Sequence, residues 1–272
     1  MLENYKQQVV DFFARRTAYD DEGDAHPQEA QRLLEYVAIA PGDQILDIAT
    51  GTGLVAIPAA RQVAPDGFVI GVDISPVMLA QAKSKISKLK IDNLELIEAD
   101  IELVEFATQQ FDTIFCCSAL VYISDLPRIL ARCYEWLKPG GCLGFTTPDK
   151  SSNLAEIRVK VCQDLFGIDL PHIIRPLWTP EKCQTLLKES GFTRPNIAIK
   201  KHLYKKSKIS PNYGSVKIES EFYPRGNPLS NLSSVQKKLL QAKYKKAVEQ
   251  LIADRGVWQE TMNLYVKAYK SR

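Results

Sequence analysis

Three aspartates, each near the end of an apolar run, are the residues whose types and spacing promise chemistry. Asp47 lies in Ile45-Leu46-Asp47-Ile48, just ahead of Ala49-Thr50-Gly51-Thr52-Gly53. Asp73 closes the run Phe68 to Val72 and is followed by Ile74, and Asp100 closes Leu94 to Ala99 and is followed by Ile101. Gly51 and Gly53 suit a turn that needs unusual dihedrals and the close approach of a ligand. A helix starting at about Leu54 would offer its free N–H groups to something polar or anionic. A glycine turn followed by an acid at the tip of the next strand is a nucleoside-binding arrangement, with backbone for a polar tail and a carboxylate for the ribose hydroxyls.

The run Gly51 to Ala56 also fits G-x-G-x-x-A, the dinucleotide fingerprint. Asp47 argues against it, because a carboxylate near the pyrophosphate would repel it and would suit an ammonium group instead. About 40 residues of helical sequence precede the motif, whereas a dinucleotide-binding strand often opens its domain. Asp100 adds an acid placed to read a base. A glycine turn with these three acids suits S-adenosylmethionine better than NAD, and no motif requires a metal.

Five segments in order resemble a class I S-adenosylmethionine-dependent methyltransferase over residues 33–147. They are ILDIATGTG (45–53), VIGVDISPVMLAQA (69–82), LIEADI (96–101), FDTIFCCSAL (111–120) and LKPGGCLGFTT (137–147). The resemblance is to the ubiquinone/menaquinone-biosynthesis type and its small-molecule relatives. One departure is Ala49, where the family's G-x-G-x-G has its first glycine. The resemblance implies cofactor contacts from Tyr19 in a folded-over N-terminal segment, from Met78 and Asp100 to the adenine, and from Ile101 to its ring.

These residues need elements to hold them. The expected fold is a doubly wound, Rossmann-like α/β domain with a seven-stranded, mostly parallel sheet and helical cap or lid insertions. Its core is read as residues 33–147 and 179–200, with a last strand at 261–270. An N-terminal cap covers 1–32, with a helix at 3–16 and a second at 28–38 opened by Pro27. Ser75-Pro76 caps the helix that carries Met78. Strand four, Phe111–Cys116, delivers Ser118 to the carboxyl end of the sheet, near a methyl donor, so Ser118, like Ile74 beside Asp73, is a candidate cofactor contact, with Tyr122 beyond it to face an acceptor. The lid insertions are 148–178 and 205–258, with helices at 151–168 and 231–254. Loops of such length in a compact domain usually serve function.

Displacement at a sulfonium needs alignment and exclusion of water, and a hydroxyl acceptor must also lose its proton. His26, in the cap, and His172, in the first insertion, are the candidate bases, with His202 ranked after them. Ile173, Trp178 and Tyr223 join Tyr122 as candidate acceptor contacts, favouring a small hydrophobic or aromatic molecule. Quinone precursors and specialised metabolites are the expected classes, with oxygen methylated before nitrogen and nitrogen before carbon.

The composition limits the rivals. A net charge of +3 gives no long-range field toward nucleic acid, though lysines cluster at 200–208 and 237–246. A nucleic-acid methyltransferase is the alternative those clusters allow, and Cys117-Ser118-Ala119-Leu120 stands where an amino-methylating adenine enzyme carries [DN]-P-P-[FY]. A nucleotide-dependent oxidoreductase is the other. The six cysteines include no C-x-x-C pair, so neither a zinc site nor a disulfide framework is expected. No apolar run approaches the roughly 20 residues that span a bilayer, and a cytoplasmic protein without stable membrane insertion is expected.

Overall fold

The computed structural model describes residues 4–22, 25–148, 155–170, 179–205, 227–255 and 258–272. His172, Ile173, Trp178 and Tyr223 lie outside them. In chain order the elements are α1 (Asn4–Ala14), α2 (Ala25–Val37), β1 (Gln44–Ile48), α3 (Ala56–Val63), β2 (Phe68–Asp73), α4 (Pro76–Leu89), β3 (Leu94–Glu98) and β4 (Phe111–Cys116). Then come α5 (Leu126–Trp136), β5 (Leu137–Pro148), α6 (Ala155–Phe166), α7 (Pro180–Glu189), β6 (Thr193–Lys205), α8 (Ser234–Arg255) and β7 (Trp258–Tyr269). Short 3-10 turns cover Tyr19–Asp21 and Leu120–Tyr122.

The sheet order is β3-β2-β1-β4-β5-β7-β6. The pairs β1/β2, β2/β3, β1/β4 and β4/β5 are parallel. β7 runs the other way, because Lys270 at its end exchanges backbone hydrogen bonds with Gly140 and Gly141 near the start of β5. Strand order reverses between β1 and β4, and the carboxyl ends there form the crevice where open α/β sheets take ligands.

Burial explains the order. Ile45, Leu46 and Ile48 of β1 and Phe115 of β4 are fully buried, as expected of parallel strands covered on both faces. β3, at the sheet edge, has no fully buried residue. Leu33, Leu34 and Val37 of α2 pack with Ala56, Ala59, Ala60 and Val63 of α3 against Ile45, Val69 and Phe115. The small alanines let α3 approach the sheet closely. Ser75 caps α4 by accepting the Met78 N–H at 3.4 Å, and Asp125 caps α5 by accepting the Arg128 N–H at 3.2 Å.

Several boundaries differ from those the sequence predicts. α2 begins at Ala25, so Pro27 sits inside its first turn, where a missing N–H costs nothing. α3 begins at Ala56 rather than at about Leu54, because residues 51–55 stay in the turn.

The chain divides into two compact units. One comprises residues 1–147, 180–198 and 264–272, and the other residues 148–179 and 199–263. The second is thus built jointly from the two insertions, with Cys162 of α6 and Leu240 of α8 clustering with Leu170 and Leu229. No helix among the described residues is long and apolar enough to cross a membrane.

Candidate active site

The site is a cavity of the first unit, at the carboxyl ends of β1 to β4. Lys6, Val9, Val10, Phe13, Arg16, Tyr19 and His26 of the N-terminal segment contribute to its wall. Asp47, Ala49, Gly51, Asp73, Ile74, Met78, Asp100, Ile101, Ser118 and Tyr122 line it as well.

Its floor is acidic, and the sheet register makes it so. Asp47 pairs with Gly71 across β1/β2, and Asp73 with Glu98 across β2/β3. Asp47 is 2% exposed and its Oδ2 accepts the Thr50 hydroxyl at 2.7 Å. Burial pushes its carboxyl up to about 7 and the nearby Asp73 adds to this; Thr50 and the Ala56 N–H work against the rise. Asp73 Oδ2 accepts the Gly51 N–H and Oδ1 the Ser75 N–H, both at 2.8 Å. Burial raises this carboxyl too, against those hydrogen bonds.

The backbone donors therefore go elsewhere than the sequence suggests. The Gly51 N–H points at Asp73 and the Ala56 N–H, the first of α3, at Asp47. They hold carboxylates in place and offer no cradle to an anion.

The glycine turn carries two further observations. Ala49 has φ 53°, in the left-handed region that disfavours an L-residue. Gly53, expected on the cofactor, is absent from the cavity wall. It has φ 82°, and a Cβ there would meet Ile57 at 2.9 Å. Its job is close packing of the turn onto α3.

At the far side of the floor, Asp100 pairs with Lys6 of α1 at 3.4 Å, and Lys6 also pairs with Glu102. Glu102 accepts the backbone N–H groups of Ser124 and Asp125 at 3.1 and 2.8 Å. Burial alone would raise its carboxyl, but Lys6 and these two donors hold it below the ordinary value. Lys6 is buried and was not singled out in the sequence, where a helical lysine reads as solvated.

The opposite wall is aromatic. Phe13 meets Tyr122 edge-on at 5.5 Å, and Tyr19 stacks on His26 with centroids 4.9 Å apart. The Arg16 guanidinium lies over Tyr19 at 4.2 Å, the geometry of a cation–π contact. Burial lowers the His26 imidazole; the Glu29 charge opposes that, Arg16 adds to it and Glu22 opposes it. A neutral imidazole at neutral pH can take up a proton. Burial lifts the Cys117 thiol well above its ordinary range, so it stays protonated and unreactive. Ser118, at φ 54°, donates its N–H to Thr146 Oγ1 at 2.9 Å and its hydroxyl to Glu29 Oε1 at 2.7 Å.

Comparison with known proteins gives an independent result. Residues 45–141 match the family model described as a methyltransferase domain. The chain is 31% identical over 147 residues to an aklanonic acid methyltransferase of Streptomyces sp. (strain C5), covering 53% of this chain and 67% of that one. It is 38% identical over 121 residues to a demethylmenaquinone methyltransferase of Symbiobacterium thermophilum, covering 42% of this chain and 48% of that relative. A solved phosphoethanolamine N-methyltransferase 2 of Haemonchus contortus, bound to phosphomonomethylethanolamine and S-adenosylhomocysteine, superposes with a TM-score of 0.64 at 20% identity. That likeness covers 100% of this chain and 61% of the other, and it concerns the fold.

Proposed function

Because the chain belongs to the class I S-adenosylmethionine-dependent methyltransferases, we propose that it transfers a methyl group to a small, hydrophobic or aromatic acceptor. The observation that carries this reading is the acidic cavity floor. Asp47, Asp73 and Asp100 line it, and the Gly51 and Ala56 N–H groups are spent on two of those acids. A pyrophosphate would meet repulsion from these acids, and the Gly51 and Ala56 N–H groups would not be free to hold it. A nucleoside with a cationic tail fits, since Asp73 accepts the Gly51, Ile74 and Ser75 N–H groups and keeps an acceptor direction for a ribose hydroxyl.

S-adenosylmethionine supplies the methyl group as a sulfonium electrophile. The chain's residues do the rest. Asp47 faces the ammonium-bearing tail, Asp73 the ribose, and Met78, Asp100 and Ile101 the base. Phe13 and Tyr122 exclude water and present apolar ring surface to the acceptor, and Tyr19 closes over the cofactor. His26 removes the acceptor proton, which favours a hydroxyl over a nitrogen or carbon nucleophile. Two of the relatives, named as methyltransferases of aklanonic acid and of demethylmenaquinone, support a small-molecule acceptor.

The test is release of S-adenosylhomocysteine on incubation with panels of phenolic, quinol and amine acceptors. Turnover confined to phenols and quinols is expected. Positioned general bases contribute roughly 10²–10⁴-fold, so His26→Asn should lower kcat on the order of 10²-fold with cofactor affinity unchanged. Full turnover by that variant removes His26 as the base.

A further inference from the structure

Behind the cavity wall, α2 carries a buried carboxylate with no task so far. Glu29 is 5% exposed. It lies one turn beyond His26 on the same helix, so the two share a face. Its Oε1 takes the Ser118 hydroxyl proton at 2.7 Å. Ser118 sits just past β4 with φ 54°, a conformation that persists only where the surroundings impose it. What imposes it is visible. The Ser118 N–H is held by Thr146 Oγ1 at 2.9 Å, from the end of β5, and its hydroxyl by Glu29, from α2. Both His26 and Ser118 reach the cavity wall, and Glu29 stands behind them.

The hydroxyl's direction has a chemical consequence. With its proton committed to Glu29, Ser118 Oγ presents only lone pairs to the cavity. It can accept a hydrogen bond and cannot donate one. We propose that Glu29 is the positioning residue of the acceptor end, fixing Ser118 Oγ as a hydrogen-bond acceptor and His26 as the proton acceptor, so that the site selects substrates through an O–H donor. This rests on the methyltransferase reading and deepens it. A substrate presenting only a carbonyl or an ether at the reacting position would face two acceptors and bind poorly.

The charged groups facing His26 are Glu29 on its own helix and Arg16 and Glu22 from the preceding segment, with Tyr19 stacked on its ring. Removing the Glu29 charge removes an influence that favours the imidazolium.

The experiment is an NMR titration of the histidine side chains in the full chain, which has three, with His26 assigned through His26→Asn. In Glu29→Gln the His26 midpoint should move to lower pH while those of His172 and His202 stay fixed. The acid limb of kcat/KM should move with it, and S-adenosylhomocysteine affinity should stay within about two-fold, as Glu29 is not on the cofactor. A merely structural role would move neither the midpoint nor the limb. If Glu29→Gln does not fold, Glu29→Asp draws the charge back by one methylene and should give a smaller shift in the same direction. An unchanged His26 midpoint in the folded variant overturns the proposal. Failure of the wild type to bind S-adenosylhomocysteine would instead overturn the methyltransferase reading, and the midpoint would still report on Glu29.

Discussion

Asp47 shows how one buried carboxylate links stability to binding. Its folded value is about 7, against roughly 3.9 in an unfolded chain. The folded protein therefore holds this proton more tightly, and the group's contribution to stability falls as pH rises through that window. A cationic ligand favours the ionised form. Cofactor binding at pH 7 should thus release up to about half a proton and none at pH 9. Calorimetry in two buffers of different ionisation enthalpy reads this directly, and Asp47→Asn should abolish the release. Ala49 offers a second handle. A left-handed L-residue costs roughly 1–2 kcal/mol, so Ala49→Gly should stabilise by about 1 kcal/mol, seen as a higher urea midpoint at constant slope. Asp73→Ala should weaken S-adenosylhomocysteine binding about ten-fold or more, since a hydrogen bond to a charged group contributes roughly 1.5–3 kcal/mol. The acids were legible because each follows an apolar run that had to be a strand. Glu29 and Lys6 were not, because a charged residue on an amphipathic helix reads as solvated until the helix's neighbours are known. Gly53 lies off the cavity wall and against Ile57, and a glycine's need for space does not by itself say which neighbour fills it.

The N-terminal segment is the element whose role rests on particular contacts. Lys6 of α1 ties it to Asp100 and Glu102, and Tyr5 donates to the Tyr122 carbonyl at 3.3 Å. At its other end Asp20 accepts from Thr52 of the glycine turn and pairs with Lys85 of α4. Both ends are thus fastened to loops that line the cavity. Lys6→Met would leave two carboxylates without their cation, and breaking a buried pair this way costs about 3–5 kcal/mol. Hydrogen exchange should rise across α1 and stay unchanged in β1 and β2. Equal acceleration in the sheet would mean that the segment and core unfold together. The Glu102 carboxyl lies below its ordinary value, so its stabilising contribution is present at neutral pH and lost as pH falls through that depressed value. Acid should loosen the same segment. The helix and its apolar face were readable from spacing, since Tyr5 and Val9 recur at helical intervals and are buried. Its fastenings were not, because they join residues some 90 positions apart.

At the scale of the molecule, the sheet was the most legible feature. Parallel strands buried on both faces read as apolar runs, and such runs fall in order at 45–48, 68–73 and 111–116, with the edge strand at 94–98 alternating with glutamates. The insertions were readable as lengths. That residues 148–179 and 199–263 form one unit was not, because packing Cys162 of α6 against Leu240 of α8 leaves no local signal. Four of the expected site residues, His172, Ile173, Trp178 and Tyr223, fall outside the described residues. The acceptor reading therefore stands on His26, Ser118 and Tyr122, while the cofactor reading stands on the three acids. The cofactor claim is tested most directly by calorimetric titration of the purified protein with S-adenosylhomocysteine, with NADH titrated in parallel. The acidic floor and its spent backbone donors predict micromolar binding of S-adenosylhomocysteine and none of NADH. Binding of NADH alone would contradict the account, because a pyrophosphate would then be accommodated beside Asp47.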